Sequence, residues 1–388
     1  HLISYNKKVM MKRLVSLDVL RGLTVMFMIF VNNGAGDEIF STLQHSKWNG
    51  MTPCDLVFPF FLFIMGISTF LSLRKGGFHW TSRQAHKTIK RTLLLFVIGL
   101  LINWFDMAMD GRPFDIAHLR IMGVMQRIAI CYGFTVAAAL TIHHLTHSFR
   151  GMGLLVAVLL VGYTLILLLG GGYDYDSSTN LLSRVDHAVL GDSHLYHKSP
   201  VDPEGLLSSL SAVCNTMLGF LMASWAFRKP DEASAQSPVT MLSRLMVCGA
   251  ALAFVGWLLQ FGLPLNKRVW SPSYVLLTCG LAALLQGLLV WWLDVRPAQH
   301  RPAQQVASPS SMVTMTLIFG TNPLFLYIVS ELLSIVFGST GIKQSAYDAI
   351  HFVIVNGYWA SVAYATLFVV LHLAMGAVLW KRRIFIKL

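Results

Sequence analysis

A polar stretch passes directly into an apolar one at residues 45–66, HSKWNGMTPCDLVFPFFLFIMG. His45, Asn49 and Asp55 therefore lie within one loop and one helical turn, at the mouth of a segment long enough to span a membrane. An imidazole in this position can act as a general base, or as a nucleophile that accepts an acyl group. A histidine that merely ends a loop and contacts water is the alternative, and the spacing leaves both open.

Asn32 and Asp55 are the other two candidate catalytic residues. Asn32 ends the preceding apolar run, in VNNGAGDE. The end of that span and the start of the next lie on the same side of the membrane, so His45 is expected to face an asparagine. Asp55 follows Thr52-Pro53, which predicts a helix N-cap and a first helical position, and a carboxylate in the first turn suits the helix dipole. A structural role and a catalytic role for Asp55 both stay open.

The segment HLRIMGVMQRIAICY places two arginines inside a predicted span. Arg120 and Arg127 are seven residues apart, which predicts two helical turns on one face, and Gln126 lies beside Arg127. An arginine in a span needs an anionic partner or a water-filled cavity. A phosphate-bearing ligand fits, because the planar guanidinium pairs with phosphate oxygens. An ion pair within the protein, for example with Asp18 or Asp55, is the alternative.

A further polar segment, LGDSHLYHKSPVDPEG at residues 190–205, is a candidate for substrate binding. It includes Asp202 and Glu204, and carboxylates among aromatic residues are what a sugar or amino-sugar site needs. A solvated loop and a metal site are the alternatives. The spacing matches no metal motif, so no metal is predicted.

Trp270 and Asn322 complete the candidates for substrate binding. Residues 266–274, NKRVWSPSY, put Trp270 and Tyr274 at a membrane interface, where aromatic residues are expected in any case. Asn322 and Glu331 lie nine residues apart in one predicted span and are expected to line the same cavity. The spacing thus predicts a polar cavity that opens outward, with cationic residues deeper in.

The elements that must position these residues are membrane spans. Of the 388 residues, 55% are hydrophobic and only 12% are charged, against about 25% in a soluble domain, so we predict an all-α polytopic membrane protein. We expect a single domain, residues 1–388, with about ten spans. The spans are predicted near residues 17–34, 53–73, 91–108, 119–142, 152–170, 205–227, 243–263, 272–293, 312–337 and 358–380. Asn322-Pro323 predicts a kink or break in the ninth.

Lysine and arginine are concentrated in one set of connections, around residues 7–21, 74–91 and 381–387. Because cytoplasmic loops carry the excess of these residues, both termini are predicted to be cytoplasmic and the loop near 171–204 to lie outside. Topology therefore explains the net charge of +12, and no nucleic-acid partner is predicted. The Pro/Gln/Ser-rich stretch near 296–311 is predicted to be a flexible cytoplasmic linker.

Several long motifs together resemble one family. They are SLDVLRGLTVMFMIFVNN, HSKWNGMTPCDLVFPFFLFIMG, RIMGVMQRIAICY, LGDSHLYH, DPEGLL, NKRVWSPSYV and the closing KRRIFIKL. From about Ser16 to its C-terminus, the chain resembles the heparan-alpha-glucosaminide N-acetyltransferase family, whose bacterial members include NagX-like transmembrane acetyltransferases. The resemblance implies a multi-pass protein of the cell inner (cytoplasmic) membrane. It would move the acetyl group of acetyl-CoA to the amine of an amino sugar, glucosamine or a glucosamine-terminated glycan.

The resemblance also implies roles for particular residues. The family's active-site histidine precedes the WNG motif, and in this sequence that position is His45, while the family asparagine at the end of the preceding span matches Asn32. The DPEG motif matches residues 202–205, and the RIxGVxQR motif matches residues 120–127. Acetyl-CoA would be the co-substrate, an amino sugar the acceptor and the lipid bilayer the surroundings. A homodimer is an assembly that the sequence leaves open.

Two mechanisms and two classes of function stay open. In one mechanism His45 takes the acetyl group and passes it on, and in the other it deprotonates the acceptor amine in a ternary complex. Asn32 would orient the imidazole or donate a hydrogen bond to the thioester carbonyl oxygen. The competing class is an amino-sugar permease, which would also have about ten spans and a midplane polar site. Against it, the two halves of the chain show no matching pair of interrupted spans.

Overall fold

The computed structural model of the chain describes residues 14–171, 180–196, 201–227, 238–296 and 310–386. Within these ranges the chain is helical and contains no β-strand. Its helices are α1 Val15–Asn32, α2 Val57–Arg74, α3 Ser82–Met109, α4 Val124–Thr146, α5 Arg150–Gly171, α6 Leu181–Leu190, α7 Ser209–Ala226, α8 Pro238–Leu259, α9 Pro272–Val290, α10 Ser311–Thr321, α11 Pro323–Ser339, α12 Ile342–Val353 and α13 Gly357–Lys381. The linker predicted near 296–311 falls mostly outside the described residues.

The prediction of about ten membrane spans is confirmed. In the part of the chain that the structure describes, nine helices are long and apolar enough to cross a membrane: α1 to α5, α7 to α9 and α13. The pair α10 and α11 would make a tenth span, bent by 81°. The bend falls at Asn322-Pro323, as predicted, because a proline cannot donate the backbone hydrogen bond that would continue the helix.

Two glycines let α2 and α7 pack at the centre of the bundle. In each of these helices 72% of the apolar window is buried, more than in the other spans of the described residues. A Cβ atom added at Gly66 would lie 2.0 Å from the carbonyl oxygen of Thr216, and one added at Gly219 would lie 2.1 Å from that of Phe63. Because lipid provides no hydrophobic drive between helices, such close backbone contact is a main source of attraction.

The break at Asn322 has a partner in the C-terminal segment. The side-chain amide of Asn322 donates to the carbonyl oxygen of Ile384 at 3.0 Å and accepts the N–H of Ile386 at 2.8 Å. Asn322 is only 1% exposed, so both of its polar atoms are used within the protein. This placement favours a structural role for Asn322, which holds residues 384–386 against the bent pair of helices.

We expect Gly219→Ala to lower the free energy of unfolding by about 1–3 kcal/mol, because the added methyl group forces α2 and α7 apart. Gly162→Ala is the matched control, since Gly162 lies in α5 and a Cβ atom there meets no atom within 4 Å. Thermal unfolding of both variants in the same detergent measures the difference. Equal melting temperatures would show that the α2–α7 contact does not limit stability.

Candidate functional site

Asp55 lies in the turn of 3-10 helix, Pro53–Leu56, that opens α2, and its side chain is wholly buried. Its Oδ2 atom accepts the backbone N–H of Ser46 at 3.1 Å and that of Thr52 at 3.0 Å. Thr52 is the N-cap and Pro53 follows it, so the predicted helix start is confirmed. Buried ionised groups are stable only with such partners.

His45 completes the hydrogen bonding of Asp55. The Nδ1 atom of His45 lies 2.7 Å from Asp55 Oδ1, and because an ionised carboxylate only accepts hydrogen bonds, the Nδ1–H is the donor. In the neutral ring, Nε2 then carries a free electron pair. The side chain of His45 is 48% exposed, so the ring is open to a substrate.

Lys267 reaches the same imidazole from the connection between α8 and α9. Its Nζ atom lies 3.0 Å from Nδ1 and 3.2 Å from Nε2 of His45, and 3.6 Å from Asp55 Oδ1. Burial lowers the pKa of Lys267 from its ordinary value, although the Asp55 carboxylate opposes this shift. The thiol of Cys54 lies 3.1 Å from His45 Nδ1. The site is therefore a cluster of a base, a carboxylate, an ammonium group and a thiol.

The WNG motif joins the two loops that carry His45 and Lys267. Asn49 Oδ1 accepts a hydrogen bond from the side chain of Asn266 at 3.2 Å, across 217 positions of sequence. The N–H of Gly50 donates to the carbonyl oxygen of Leu265 at 2.8 Å. Asn49 thus positions the loops and does not touch His45 by any hydrogen bond of the described residues.

Lys267 and Cys54 are the members of this cluster that sequence reasoning missed. A signal for Lys267 existed, because lysine and arginine are scarce in the connections at this end of the bundle, and a cation kept there needs a reason other than topology. Cys54 carried no such signal, since a cysteine at a span end is usually a small core residue.

Arg120 does not share a helix face with Arg127, so that prediction was wrong. The chain is extended before α4, which begins at Val124, and Arg120 lies outside the helix. The extended segment lies against residues 190–196, where the N–H of Ile121 donates to the carbonyl oxygen of His194 at 3.1 Å. Arg120 therefore meets partners that the helical spacing did not indicate.

The partners of Arg120 are the two carboxylates of the DPEG motif. Arg120 Nη2 lies 2.7 Å from Asp202 Oδ1 and 2.8 Å from Glu204 Oε2, and its guanidinium carbon lies 4.6 Å from the centre of the Tyr196 ring. Burial alone would raise the pKa of Glu204, but the Arg120 and Arg127 guanidiniums lower it below its ordinary value. This arrangement is the intramolecular ion pair that the sequence left open.

Arg127 is fully buried in the first turns of α4. It donates to the carbonyl oxygen of Gly205 at 3.0 Å and to the hydroxyl of Ser208, and its guanidinium carbon lies 4.8 Å from the centre of the Trp270 ring. The neighbouring Gln126 is also buried, with 1% exposure, and faces Gly99 of α3. The contacts of Arg127 favour a structural role for it, although its Nε and Nη1 atoms, like Nε2 of Gln126, are buried without a hydrogen-bond partner in the described residues.

Trp270 and Tyr274 are buried rather than interfacial, so their predicted place was wrong. Both have 0% exposure. The indole N–H of Trp270 donates to Asn215 Oδ1 at 2.8 Å, and its ring packs edge-on against Phe58 and Tyr274. The reason is that α9 packs against α7, α2 and α8, which leaves the start of α9 inside the bundle.

Asn32 lies at the end of α1 but does not orient His45. Its side chain and that of Tyr327 are hydrogen-bonding neighbours of the Glu331 carboxyl in α11. Within the described residues no hydrogen bond joins Asn32 to His45, whose carboxylate partner is Asp55. The structure thus brings His45 and Asp55 together and places Asn32 in a second polar group with Glu331.

Asp186 supports the DPEG segment from α6. Its side chain is wholly buried, and its Oδ1 atom accepts the N–H of Leu206 at 2.9 Å. A Cβ atom at Gly205 would lie 1.9 Å from Asp186 Oδ2, so a larger residue there would displace that carboxylate. Burial raises the pKa of Asp186 from 3.8 to about 6.

Comparison with known proteins gives consistent matches. The family described as "Heparan-alpha-glucosaminide N-acetyltransferase, catalytic" matches residues 13–174, a segment that contains His45 and Asp55. Heparan-alpha-glucosaminide N-acetyltransferase of Homo sapiens is 28% identical over 347 residues, covering 73% of this chain and 49% of the relative. The protein of the same name from Mus musculus is 28% identical over 336 residues, covering 73% and 50%. The chain spans about half the length of the curated relatives that it matches.

We expect the melting temperature of Asp186→Asn to rise relative to wild type as the pH increases from 4 to 7. An acid whose pKa is raised by folding favours the folded state below its unfolded pKa, near 3.8, and this contribution is lost as the pH rises to about 6. The loss amounts to about 3 kcal/mol, which the neutral amide does not suffer.

Asp192→Asn is the control, because that side chain is 87% exposed. Its melting temperature should follow the pH dependence of the wild type. Parallel curves for Asp186→Asn and wild type would show that burial of the Asp186 carboxyl does not make stability depend on pH.

Proposed function

We propose that the chain is a member of the heparan-alpha-glucosaminide N-acetyltransferase family and that it transfers the acetyl group of acetyl-CoA to the amine of an amino sugar, glucosamine or a glucosamine-terminated glycan. The names of the relatives support the reaction and the glucosamine acceptor. One observation carries the proposal: an imidazole held by a buried carboxylate, His45 Nδ1 to Asp55 Oδ1 at 2.7 Å, at the end of a membrane span.

The geometry suits either mechanism. Asp55 accepts a hydrogen bond from Nδ1–H of His45, which leaves the electron pair of the neutral ring on Nε2. As a base, Nε2 removes a proton from the acceptor amine while the amine nitrogen bonds to the thioester carbon and the C–S bond breaks. As a nucleophile, Nε2 itself bonds to that carbon, the thiolate leaves, and the amine then displaces the imidazole. Asp55 stabilises the positive imidazolium in both routes.

For the donor, we propose acetyl-CoA. Arg120, Arg127 and Gln126 were expected to hold its phosphates, but Arg120 and Arg127 already bind protein groups and Gln126 is buried, which makes all three weaker candidates. At the other end of α2, a cavity of about 1050 Å³ is lined by Arg74, Arg150 and aromatic side chains. Two guanidiniums beside aromatic rings suit a phosphorylated nucleotide, so this cavity is the better candidate for the nucleotide end of the donor.

For the acceptor, Asp202 and Glu204 remain our proposal. Glu204 is the better placed of the two, because the Asp202 carboxylate also accepts the N–H groups of Tyr196 and Glu204. Glu204 lies close enough to Lys267 for that ammonium, together with the guanidiniums of Arg120 and Arg127, to lower the pKa of Glu204 against the opposing effect of burial. An amino sugar that reaches His45 would therefore pass near this carboxylate. The side chains of Trp270 and Asn322 already donate hydrogen bonds to protein groups, so these two residues are weaker candidates for binding the acceptor.

The proposal predicts that purified protein transfers acetyl from acetyl-CoA to at least one sugar in a panel that includes glucosamine. His45→Ala should lose about 10²–10⁴ in turnover, the usual contribution of general acid–base catalysis. His118→Ala is the matched control, since His118 Nδ1 lies 2.6 Å from Asp115 Oδ1 in a similarly exposed histidine–aspartate pair. It should leave turnover unchanged.

Substantial turnover by a folded His45→Ala protein would refute the catalytic assignment of His45. Failure of the wild-type protein to acetylate any sugar, with no release of CoA, would refute the proposed reaction itself. In that event, uptake of the same sugars into vesicles containing the protein would show that the protein is an amino-sugar permease.

We further propose that both termini are cytoplasmic and that His45 faces the outside of an inner (cytoplasmic) membrane. In a background without native cysteines, Ser41→Cys should react with an impermeant maleimide added to intact cells, whereas Arg83→Cys should react only after lysis. Both positions are exposed and lie at opposite ends of the bundle. Labelling of Arg83→Cys alone in intact cells would reverse the orientation.

A further inference from the structure

Lys267 has contacts that an ordinary surface lysine does not have. Its side chain is 14% exposed, and its ammonium group lies 3.0 and 3.2 Å from the two ring nitrogens of His45. An ammonium group can donate a hydrogen bond to Nε2 while the ring is neutral, but it is repelled once the ring becomes a positive imidazolium. Attraction between these two side chains therefore does not persist when His45 takes up a proton or an acyl group, and the contact needs a further explanation.

An ion pair with Asp55 does not supply that explanation. The Asp55 Oδ1 atom lies 2.7 Å from His45 but 3.6 Å from Lys267, and Oδ2 is occupied by two backbone N–H groups. The carboxylate is thus satisfied without the lysine. Lys267 lies beside the imidazole because its own backbone is held there.

The backbone of Lys267 belongs to a tightly bonded turn. Asn266 Oδ1 accepts the N–H of Val269 at 2.9 Å, and the N–H of Asn266 donates to the Ser271 hydroxyl at 3.1 Å. Trp270, buried at 0% exposure, closes the turn with a φ of +56°, an uncommon conformation for a residue with a side chain. A residue kept in such a conformation indicates that the turn geometry is tightly determined by its surroundings.

We propose that Lys267 is a catalytic residue of the acetyl transfer, whose ammonium group binds the carbonyl oxygen of the acetyl group as that oxygen becomes negative. The assignment rests on the proposed function. When Nε2 of His45, or an amine beside it, bonds to the carbonyl carbon, the π electrons of the C=O bond move to oxygen. That oxygen then lies next to the reacting nitrogen and within hydrogen-bonding reach of Nζ.

The remaining steps balance without a change at Lys267. The C=O bond re-forms as the C–S bond breaks, and the sulfur leaves with the bonding electron pair. The proton released by the attacking amine passes through His45 to the thiolate. Lys267 keeps its three protons throughout and acts only through its charge and hydrogen bonds.

Asn32 was expected to donate to this oxygen, but the structure favours Lys267. The Asn32 side chain interacts with Glu331, whereas Lys267 contacts the reacting imidazole directly. A charged donor in a partly buried site also stabilises an oxyanion more strongly than an amide does, because the lower local dielectric strengthens the interaction.

Steady-state kinetics of Lys267→Met tests the assignment. Removing one oxyanion donor typically costs about 10²–10³ in kcat, and KM for acetyl-CoA and for the sugar should stay within a few-fold of wild type. Lys267→Arg keeps the positive charge and should recover most of the lost kcat. Lys47→Met is the control, because Lys47 is an exposed lysine two residues from His45, and it should leave kcat unchanged.

Lys267→Gln, which keeps a polar side chain, replaces Lys267→Met if the latter fails to fold, as judged by its melting temperature. Wild-type kcat in either folded variant, or a rise in KM alone, would overturn the proposal while leaving the acetyl transfer intact. Failure of Lys267→Arg to exceed Lys267→Met would also count against it. Absence of transfer by wild type is a different result, and it would refute the proposed function instead.

Discussion

An ionised carboxylate at the end of a membrane span is stable only if protein groups replace the water that it loses. Asp55 is such a group, and satisfying it determines the shape of the loop before α2. Two backbone N–H groups bind one of its oxygens and His45 binds the other. The Thr52 hydroxyl also donates to the carbonyl oxygen of Gln44 at 2.7 Å, which closes the loop. The position of His45 is thus a consequence of burying Asp55.

The burial of Asp55 depends in turn on how α2, α7 and α9 pack. The hydroxyl of Tyr274 donates to the backbone carbonyl oxygen of Asp55, which ties the start of α9 to the start of α2. Asn215 of α7 accepts from the indole of Trp270 and donates to the Thr278 hydroxyl of α9 at 3.2 Å. Polar contacts between spans are suited to this task, because lipid offers no alternative hydrogen-bond partners.

A second set of buried charges surrounds this packed centre. Arg120 forms ion pairs with the carboxylates of Asp202 and Glu204, and Arg127 is held by the segment that follows them. Because leaving either carboxylate without Arg120 would bury an uncompensated charge, the DPEG segment and the start of α4 are bound to each other. The DPEG segment is therefore joined to the start of α4 by electrostatics as well as by helix packing.

The features that the sequence alone determined are those that depend on neighbouring residues. Hydropathy over about 20 residues predicts a span, a proline predicts the break at Asn322, and Thr52-Pro53 predicts the start of a helix. His45 was singled out because it lies where two spans end. Asp55 was left between a structural and a catalytic role, and its hydrogen bonds show that it caps the turn and holds His45.

Tertiary structure alone decided which distant groups meet. Lys267 and His45 are 222 positions apart, and Arg120 and Asp202 are 82 apart. Trp270 was expected at an interface but is buried, since an aromatic residue at a span end has the same local pattern whether it faces lipid headgroups or a neighbouring helix. Helix packing is set by backbone approach at residues such as Gly66 and Gly219, and a glycine in a span does not show which partner it will contact. The ammonium beside the imidazole could therefore be found only once the spans were assembled.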